Sequence, residues 1–320
     1  MHTLSQLRDI GRKTLKAADI KSYTIDTDVL LMFILSIDKN ALLTRQDMAV
    51  SKTDADIFCN MLERRCKKTP IQYIIGKCEF MSLEFLLDEN VLIPRPDTEI
   101  LVETVLAAEK APNTRGLEIG IGSGCISVSI EYYGKNINMT GVDISPAAVK
   151  IAKKNSTIVN IANSTCHSNS TCRSNSARYP CPICHPCSTC HSGLDPESIS
   201  TDYDKFFVSD LYKNVPRGTF CFIVSNPPYI KTDEIDALEH NVKGYEPITA
   251  LDGGIDGLDF YRKITNRAAE YLSDSGRIYF EIGHDQAVDV SEILKAAGFV
   301  DINVKKDLAG KDRVVFGRLS

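Results

Sequence analysis

Near the start of the chain, apolar residues recur at three- and four-residue spacing, which is the period of an amphipathic helix. Thr3 stands at the N-cap position of the first such helix, whose apolar face is Leu4, Leu7, Gly11, Leu15 and Ala18. A second helix is predicted over Val29–Ile37, with Thr27-Asp28 as its cap. A third is predicted to begin at Ser51, where Asp54 three residues later resembles a capping box, and to end before Pro70. Residues 1–70 are therefore predicted to form a separate bundle of three short helices without a sheet.

The pattern changes to strands at Ile71. Alternating apolar residues predict a hairpin linker over residues 71–92, with the segments Gln72–Gly76, Cys78–Phe80 and Leu83–Leu87. A stiff stretch, Ile93–Glu99, follows, and Thr98 or Asp97 is expected to cap a helix containing Leu101, Val102 and Leu106. Residues 93–320 are interpreted as the second and larger domain.

Strands and helices alternate through this larger domain. Strands are predicted from Leu117, over Met139–Ile144, Phe206–Ser209, Cys221–Val224 and Arg277–Ile282, and near Ile302–Val304 and Val314–Gly317. The last two are joined by a short connection, which favours an antiparallel final hairpin. The expected fold class is α/β, with a Rossmann-like, doubly wound sheet whose last strand is antiparallel.

One strand ends in the sequence Asn226, Pro227, Pro228, Tyr229. Two consecutive prolines end a strand because neither can donate a ladder hydrogen bond, so these residues follow at the carboxyl end, where open α/β sheets place ligands. Asn226 Oδ1 and the Pro227 carbonyl can accept both hydrogens of a planar NH2 group, with Tyr229 packed on its face. This arrangement suits a reaction at an amide or an aromatic amine. The alternative is a simple strand terminator beside a buried tyrosine.

A glycine-rich loop follows the strand that begins at Leu117, and it consists of Gly120, Ile121, Gly122, Ser123 and Gly124. A helix comes next, so backbone amides can approach a ligand closely at its N-terminus. The glycine spacing departs from the Gly-x-Gly-x-x-Gly nicotinamide pattern. Asp143 ends the next strand about 20 residues later, where a carboxylate can bind both ribose hydroxyls. Loop and acid together predict an adenosine-containing cofactor, whereas a tight turn is the alternative for the loop alone.

Asp210 also stands at a strand end, after Phe206–Ser209. It can accept a hydrogen bond from an adenine amino group, with Leu211 packed on the ring. Taken alone, it would be read as an N-cap.

The composition is that of an ordinary globular chain, with 43% hydrophobic and 25% charged among 320 residues. A net charge of -5 argues against broad binding to nucleic-acid phosphates as the main activity. Residues 1–5 lead into the first helix without the apolar core of a signal peptide, and the longest apolar run, Val29–Ile37, is too short to span a bilayer. We expect a cytoplasmic monomer that neither inserts into a membrane nor requires nucleic acid.

Several further stretches complete a pattern that covers nearly the whole chain. They are Ile93–Glu99, Glu118–Gly124, Val142-Asp143, Ser225–Ile230, Tyr245–Pro247, Leu251–Gly254, Asp256–Leu258, Glu281–Gly283 and Lys306–Arg313. With the helical N-terminal region they resemble the release factor glutamine methyltransferase family. Asn-Pro-Pro-Tyr alone is shared with adenine-amine methyltransferases, and the other stretches favour glutamine.

The resemblance implies an enzyme that uses S-adenosylmethionine to methylate the glutamine of the Gly-Gly-Gln motif in class I peptide chain release factors. By the same resemblance, the glycine loop would hold the methionine part of the cofactor, Asp143 the ribose, and Asp210 with Leu211 the adenine. Asn226 and Pro227 would bind the substrate amide, with Pro228 and Tyr229 beside it and Asn226 also bordering the cofactor. Glu118 would organise the loop. The helical bundle would recognise the protein substrate.

One segment departs from the family, at about residues 160–202. It is rich in Ser, Asn and Thr, and it contains Cys166, Cys172, Cys181, Cys184, Cys187 and Cys190 beside three histidines. The near-duplicate Cys-x-x-Cys-His units read as a low-complexity, disordered insertion. The four central cysteines also have zinc-like spacing, which remains the alternative. Haem attachment is disfavoured because it needs an exporting, oxidising context.

Two other functional classes remain open. One is an adenine-amine nucleic-acid methyltransferase, and the other is a cofactor-binding protein that the insertion has inactivated. Methyl acceptance by a release factor, by nucleic acid or by neither separates the three.

Overall fold

The computed structural model describes residues 2–168, 205–217, 220–238 and 243–320. The chain divides into two compact units, one formed by Met1–Lys77 with Glu239–Tyr245 and the other by Cys78–Leu238 with Glu246–Ser320. The predicted boundaries of 70 and 92 fall on either side of Lys77. Among the described residues, no helix is both long and apolar enough to cross a membrane.

The first unit is mainly helical. Its helices are α1 (Leu4–Ala17), α2 (Tyr23–Leu35), α3 (Lys39–Thr44), α4 (Lys52–Cys66) and α5 (Ile71–Ile75), and a small antiparallel sheet joins β1 (His2–Thr3) to β2 (Ala49–Val50). The capping predictions for α1 and α4 are confirmed: Thr3 and Gln6 form a reciprocal capping box, and the Ser51 hydroxyl accepts from the Asp54 amide. The prediction of a bundle without a sheet is wrong, because β1 pairs with β2.

Helix α2 begins four residues before its predicted cap, at Tyr23 rather than after Thr27. The Thr27 hydroxyl donates to the Tyr23 carbonyl over 2.7 Å inside the helix, and Asp28 accepts two hydrogen bonds from Arg8. Neither side chain is available to cap, so the capping prediction for Thr27-Asp28 is wrong.

The predicted strand Gln72–Gly76 is instead the short helix α5. Pro70 begins it, because the Ile74 amide donates to the Pro70 carbonyl, and Gly76 ends it in a left-handed conformation at φ 74°. Proline and glycine at the two ends therefore override the strand preference of the β-branched residues between them. The other two segments do form a hairpin, β3 (Lys77–Phe80) with β4 (Leu83–Leu86).

A mixed sheet runs through the second unit. The strands are β5 (Thr114–Ile119), β6 (Ile137–Asp143), β7 (Phe206–Val208), β8 (Phe220–Ser225), β9 (Leu272–Glu281), β10 (Phe299–Lys306) and β11 (Asp312–Leu319). Among the described residues they form a seven-stranded sheet in the order β10-β11-β9-β8-β5-β6-β7. β11 runs antiparallel to both of its neighbours, β10 and β9, which confirms the predicted final hairpin.

Helices cover the two faces of this sheet. They are α6 (Glu99–Ala108), α7 (Cys125–Tyr133), α8 (Pro146–Ser168), α9 (Asp259–Ala268) and α10 (Ala287–Ala296). One core cluster unites side chains of α6, α7 and α8 with the hairpin, and a second unites side chains of α9 and α10 with the sheet. The α/β, doubly wound fold is therefore confirmed.

Buried Asn155, on α8, ties three parts of this unit together. Its side-chain amide accepts from the Leu86 amide at 2.8 Å and donates to the Leu86 and Ser123 carbonyls. The glycine loop is thereby fixed to the hairpin. Helix α8 continues to Ser168, so it includes the first residues of the predicted insertion. The rest of that insertion, with the four closely spaced cysteines at 181, 184, 187 and 190, lies outside the described residues.

Candidate active site

The carboxyl ends of four parallel strands converge where the strand order reverses. The chain passes from β5 to β6 and β7, and then returns to β8 on the other side of β5. Ligands of open α/β sheets bind at this reversal. The Ser225 hydroxyl, at the end of β8, donates to the Ile119 carbonyl over 2.6 Å and joins the two central strand ends.

The glycine loop begins directly after β5. Gly120 and Ile121 both donate their amides to the Val142 carbonyl on β6, and Gly120, Gly122 and Gly124 have φ values of 77°, 53° and 81°. These values lie in the left-handed region, which favours glycine. A Cβ added at Gly120 or Gly122 would meet no described atom within 4 Å. The loop therefore borders open space into which a ligand can come close to the backbone.

Asp143 holds this loop from the end of β6. Its two carboxylate oxygens accept from the Gly122 and Ser145 amides, each over 2.9 Å. Burial raises the pKa of Asp143, and these backbone hydrogen bonds oppose the rise. The predicted ribose ligand thus also fixes the conformation of the glycine loop.

Glu118 lies directly beneath the loop and is completely buried. Its Oε2 accepts from both the amide and the hydroxyl of Ser127, whereas Oε1 has no partner among the described residues. Burial raises the pKa of Glu118 to about 8, and the Ser127 hydrogen bonds offset part of that rise. A buried acceptor without a donor is expensive to desolvate, so Oε1 is suited to receive a hydrogen bond from a ligand.

We expect Glu118→Gln to change how stability depends on pH. The folded protein retains a proton on Glu118 that the unfolded chain releases between its ordinary pKa of 4.5 and about 8, so the wild-type free energy of unfolding falls as pH rises through that window. The variant should match wild type at pH 5 and exceed it at pH 8.5 by about 1–3 kcal/mol. Urea unfolding of the ligand-free protein measures this, with exposed Glu89→Gln as the control. Parallel pH profiles for Glu118→Gln and wild type would contradict it.

The segment Asn226–Tyr229 leaves the sheet at the end of β8 and packs against a glycine-containing loop. A Cβ on Gly253 would lie 2.7 Å from Tyr229 Cα, and one on Gly257 would lie 2.4 Å from the Tyr229 carbonyl oxygen. The Gln286 side chain donates to the same carbonyl over 3.0 Å. Close glycine contacts and this hydrogen bond therefore hold the backbone of the segment in one conformation.

Asn226 is half-buried, and its side-chain nitrogen donates to the Thr98 hydroxyl over 3.4 Å. Nearby, burial raises the pKa of Glu281, the last residue of β9, and the Thr98 hydroxyl opposes that rise. Of the two predicted caps, Thr98 and Asp97, Thr98 occupies the N-cap position of α6. Its backbone is already helical, at φ -66° and ψ -20°, and its side chain makes no capping bond. The Thr98 hydroxyl instead accepts a hydrogen bond from the Asn226 side chain.

The segment before α6 is tied to the rest of the unit by ion pairs. Arg95 contacts the buried carboxylate of Glu246 at 2.6 Å, and Arg313 contacts Asp97 at 3.2 Å. A cavity of about 240 Å³ lies next to Tyr229, between the 230–234 segment, residues 283–286 and Arg313. The part of the site next to Tyr229 is therefore lined by positively and negatively charged side chains.

Asp210 and Leu211 follow β7 at the edge of the same strand ends. The Ser209 amide donates to the Asp143 carbonyl over 2.9 Å, which places the end of β7 beside the end of β6. Asp210 is exposed, while Leu211 packs against the second core cluster with a left-handed φ of 50°. Strained backbone in a non-glycine residue is common at ligand sites.

Comparisons with known proteins match both the helical N-terminal region and the sheet-containing region of the chain. The N-terminal residues 6–76 match the model described as the PrmC N-terminal domain, and residues 137–282 match that of an Eco57I restriction-modification methylase. The release factor glutamine methyltransferase of Clostridium acetobutylicum is 38% identical over 304 residues, which cover 94% of this chain and 93% of that protein. The chain belongs to the release factor glutamine methyltransferase family.

Other members of the family agree. The release factor glutamine methyltransferase of Thermodesulfovibrio yellowstonii is 36% identical over 98% of this chain and 97% of its own length. A solved protein-(glutamine-N5) methyltransferase from Alicyclobacillus acidocaldarius is 25% identical, with 71% of this chain and 94% of that chain covered and a TM-score of 0.37. The two release factor glutamine methyltransferases confirm the resemblance stated from the sequence, and with it the prediction of a methyltransferase.

Sequence reasoning did not identify every residue that builds this family member's site. Ser225, Gln286 and Asn155 support the two loops through hydrogen bonds to distant backbone carbonyls. The position of Glu281 depends on the pairing of β8 with β9, which places Ser225 opposite Phe280, the residue before Glu281. The sole sequence signal for Glu281 is the family stretch Glu281–Gly283, which does not indicate what the carboxylate contacts.

Proposed function

We propose that this protein methylates the side-chain amide nitrogen of the glutamine in the Gly-Gly-Gln motif of class I peptide chain release factors, with S-adenosylmethionine as methyl donor. The observation that carries this proposal is the orientation of Asn226. Its nitrogen donates to Thr98, so Oδ1 remains available to accept from a substrate NH2 group beside the glycine loop. Family membership supports the same substrate, since the relatives named above are release factor glutamine methyltransferases.

The residues present suit this cofactor. Open space beside Gly120 and Gly122 admits a chain close to the backbone amides of Gly120–Gly124, and the unpartnered Oε1 of Glu118 suits an ammonium group. Asp143 would bind the ribose hydroxyls, and Asp210 with Leu211 the adenine. Asn226 would border both cofactor and substrate. When bound, the cofactor supplies an electrophilic methyl group on its sulfonium.

The protein's contribution at the other end is to orient a weak nucleophile. A glutamine amide nitrogen is unreactive because its lone pair is delocalised into the carbonyl, so positioning must supply much of the rate enhancement. Asn226 Oδ1 and the Pro227 carbonyl would accept the two N–H groups and favour the positive charge that develops on nitrogen. The proton is then lost to water, without a dedicated base.

Tyr229 and Pro228 would form the wall against which the amide plane packs. Burial raises the pKa of Tyr229 to about 12, so its phenol is neutral at physiological pH. A neutral ring can pack against an amide without introducing a charge beside the reacting nitrogen.

The domain roles follow from this reaction. We assign recognition of the release factor to the helical bundle of residues 1–70, linkage to 71–92 and chemistry to 93–320, in a monomeric, cytoplasmic enzyme. The release factor is its partner, and nucleic acid is not required.

A second candidate is methylation of nucleic acid at an adenine amine. The match of residues 137–282 to a restriction-modification methylase favours it, and an Asn-Pro-Pro-Tyr segment suits either planar NH2 group. The third candidate, a cofactor-binding protein inactivated by its insertion, would bind the cofactor without transferring methyl groups.

One assay separates the candidates. Purified protein is incubated with methyl-labelled S-adenosylmethionine in four separate reactions. The substrates are unmodified class I release factor, the same factor with Gly-Gly-Gln changed to Gly-Gly-Ala, double-stranded DNA, and RNA. We expect label only in the unmodified factor. Label in DNA or RNA alone, or cofactor binding without any transfer, would overturn the proposed function.

A further inference from the structure

The short segment that leads into α6 is anchored at both of its ends. At one end, Arg95 donates to both oxygens of the buried Glu246 carboxylate, at 2.6 and 2.7 Å. At the other end, Glu99 accepts from the Met81 amide over 2.7 Å. A single 3-10 turn, Pro96–Thr98, lies between the two anchors. The turn is therefore fixed to two elements that are distant from it in sequence.

Two consecutive residues of this turn connect it to opposite sides of the site. The Asp97 carboxylate lies 3.2 Å from the Arg313 guanidinium on β11. The hydroxyl of the next residue, Thr98, accepts from the Asn226 side chain over 3.4 Å. Because Asp97 and Thr98 share one short turn, a contact that fixes Asp97 also restricts the position of Thr98. The turn thus links Arg313 to the residue proposed to bind the substrate amide.

Arg313 is itself held from several directions. Its Nη2 contacts the Asp307 carboxylate at 3.1 Å, and its Nη1 donates to the Ile282 carbonyl over 3.4 Å. The Ile282 amide donates in return to the Arg313 carbonyl over 2.9 Å. The Arg313 side chain is 11% exposed and that of Asp307 is 4% exposed. The guanidinium is therefore a fixed point against which the 96–98 turn can be held.

Stability alone does not account for the contact between Asp97 and Arg313. The Asp97 side chain is 53% exposed, and ion pairs with an exposed partner contribute little to stability. Arg313 Nε is buried without a partner among the described residues, which adds a desolvation cost. Arg313 also lines the cavity next to Tyr229. An ion pair that stabilises little and borders the site is better explained by a role in that site.

We propose that Asp97 and Arg313 are positioning residues, which hold the 96–98 turn so that Thr98 keeps the Asn226 side chain in place for the substrate amide. This inference rests on the proposed function, because it assumes that Asn226 binds the group that is methylated. The final hairpin of β10 and β11 thereby contributes to the site, although the proposed cofactor and substrate contacts all lie on other elements.

Asp97→Ala is the variant that tests this inference most cleanly, because it removes an exposed side chain and leaves Arg313 paired with Asp307. We expect kcat on release factor to fall about 10- to 50-fold, while KM for the factor and the cofactor Kd change by less than about threefold. The melting temperature should fall by less than about 3 °C. Asp97→Asn keeps an acceptor for Arg313 and should recover most of kcat.

Asp301→Ala is the matched control. Asp301 is also an exposed aspartate, and it pairs with another arginine of β11, Arg318, at 3.0 Å. It should keep wild-type kcat. A kcat for Asp97→Ala within twofold of that for Asp301→Ala would overturn the inference. An equal loss in Asp97→Asn would also overturn it, because the charge rather than the contact would then be responsible.

Arg313→Lys tests the other partner while retaining a cation beside the buried Asp307 carboxylate. One ammonium nitrogen cannot contact Asp97, Asp307 and the Ile282 carbonyl together as the forked guanidinium does, so kcat should fall as in Asp97→Ala. Arg318→Lys is the control on the same strand. Because Asp97 and Arg313 act through one contact, the double variant should lose little more than either single variant. Fully multiplicative losses would contradict a shared role.

An activity-independent measurement separates this inference from the proposed function. In a proton–nitrogen correlation spectrum of the ligand-free protein, the side-chain NH2 peaks of Asn226 are those absent from Asn226→Ala. We expect these peaks to shift in Asp97→Ala and to stay in place in Asp301→Ala. Unshifted peaks in Asp97→Ala would refute the positioning role, whatever the activity. Shifted peaks, with a wild type that does not methylate the release factor, would support the positioning contact and refute only the proposed function.

Discussion

Asn226→Ala is expected to lower kcat for methyl transfer to the release factor about 10²- to 10³-fold or more. The side chain removed is the acceptor proposed to orient the substrate amide, while the backbone of the segment stays held by Gln286 and by the close glycine contacts at Tyr229. Cofactor affinity should stay within about tenfold of wild type, because the glycine loop and Asp143 are untouched. Steady-state kinetics with labelled cofactor measures kcat, and calorimetric titration measures affinity.

The matched control for this variant is Asn303→Ala, which truncates an exposed asparagine on β10. It should behave as wild type in both measurements. Wild-type turnover in Asn226→Ala would remove the assignment of Asn226 as the residue that binds the substrate amide.

Asp143→Ala is expected to produce the opposite pattern, with cofactor Kd raised about 100-fold or more and much of kcat recovered at saturating cofactor. The substitution removes two charge-assisted hydrogen bonds, one from the Gly122 amide of the glycine loop and one from the Ser145 amide, each worth about 1.5–3 kcal/mol. It also removes the proposed ribose contact. Asp143→Asn should be intermediate, because its Oδ1 can retain one of the two backbone donors. Calorimetric titration with S-adenosylmethionine measures all three proteins.

Exposed Asp274→Ala is the control for the loss of a carboxylate from this unit, and it should leave Kd unchanged. A Kd for Asp143→Ala within threefold of wild type would show that the end of β6 is not part of the cofactor site. Asn226→Ala and Asp143→Ala together therefore divide the site into a substrate end and a cofactor end.

Local chemistry made most of the second unit predictable. Two prolines end β8, and glycines with left-handed backbone follow β5, so the positions of Asn226 and of the loop follow from residues adjacent in sequence. The alternation of strands and helices sets the sheet, and the strand ends of a parallel sheet lie at one edge. A ribose contact of Asp143 is also predicted from the sequence, whereas the hydrogen bond that Asp143 accepts from the Gly122 amide is not.

What sequence reasoning missed depends on register and on competing local signals. Glu281, whose pKa the Thr98 hydroxyl influences, is far from Thr98 in the chain, and its position depends on the pairing of β8 with β9, which aligns Ser225 with Phe280. In α5, the flanking Pro70 and Gly76 outweighed a β-branched run. Helix α2 has no side-chain cap at Ser22, so no sequence pattern marks where it begins.

The central claim is that the methyl group goes to one side-chain amide of a release factor. The most direct measurement is tandem mass spectrometry of a release factor after incubation with this protein and S-adenosylmethionine, with the Asn226→Ala variant in a parallel reaction. We predict a single added methyl group on the side chain of the Gly-Gly-Gln glutamine, absent from the parallel reaction. A methyl group on any other residue, or an unmodified glutamine after incubation with the wild-type protein, would contradict the account.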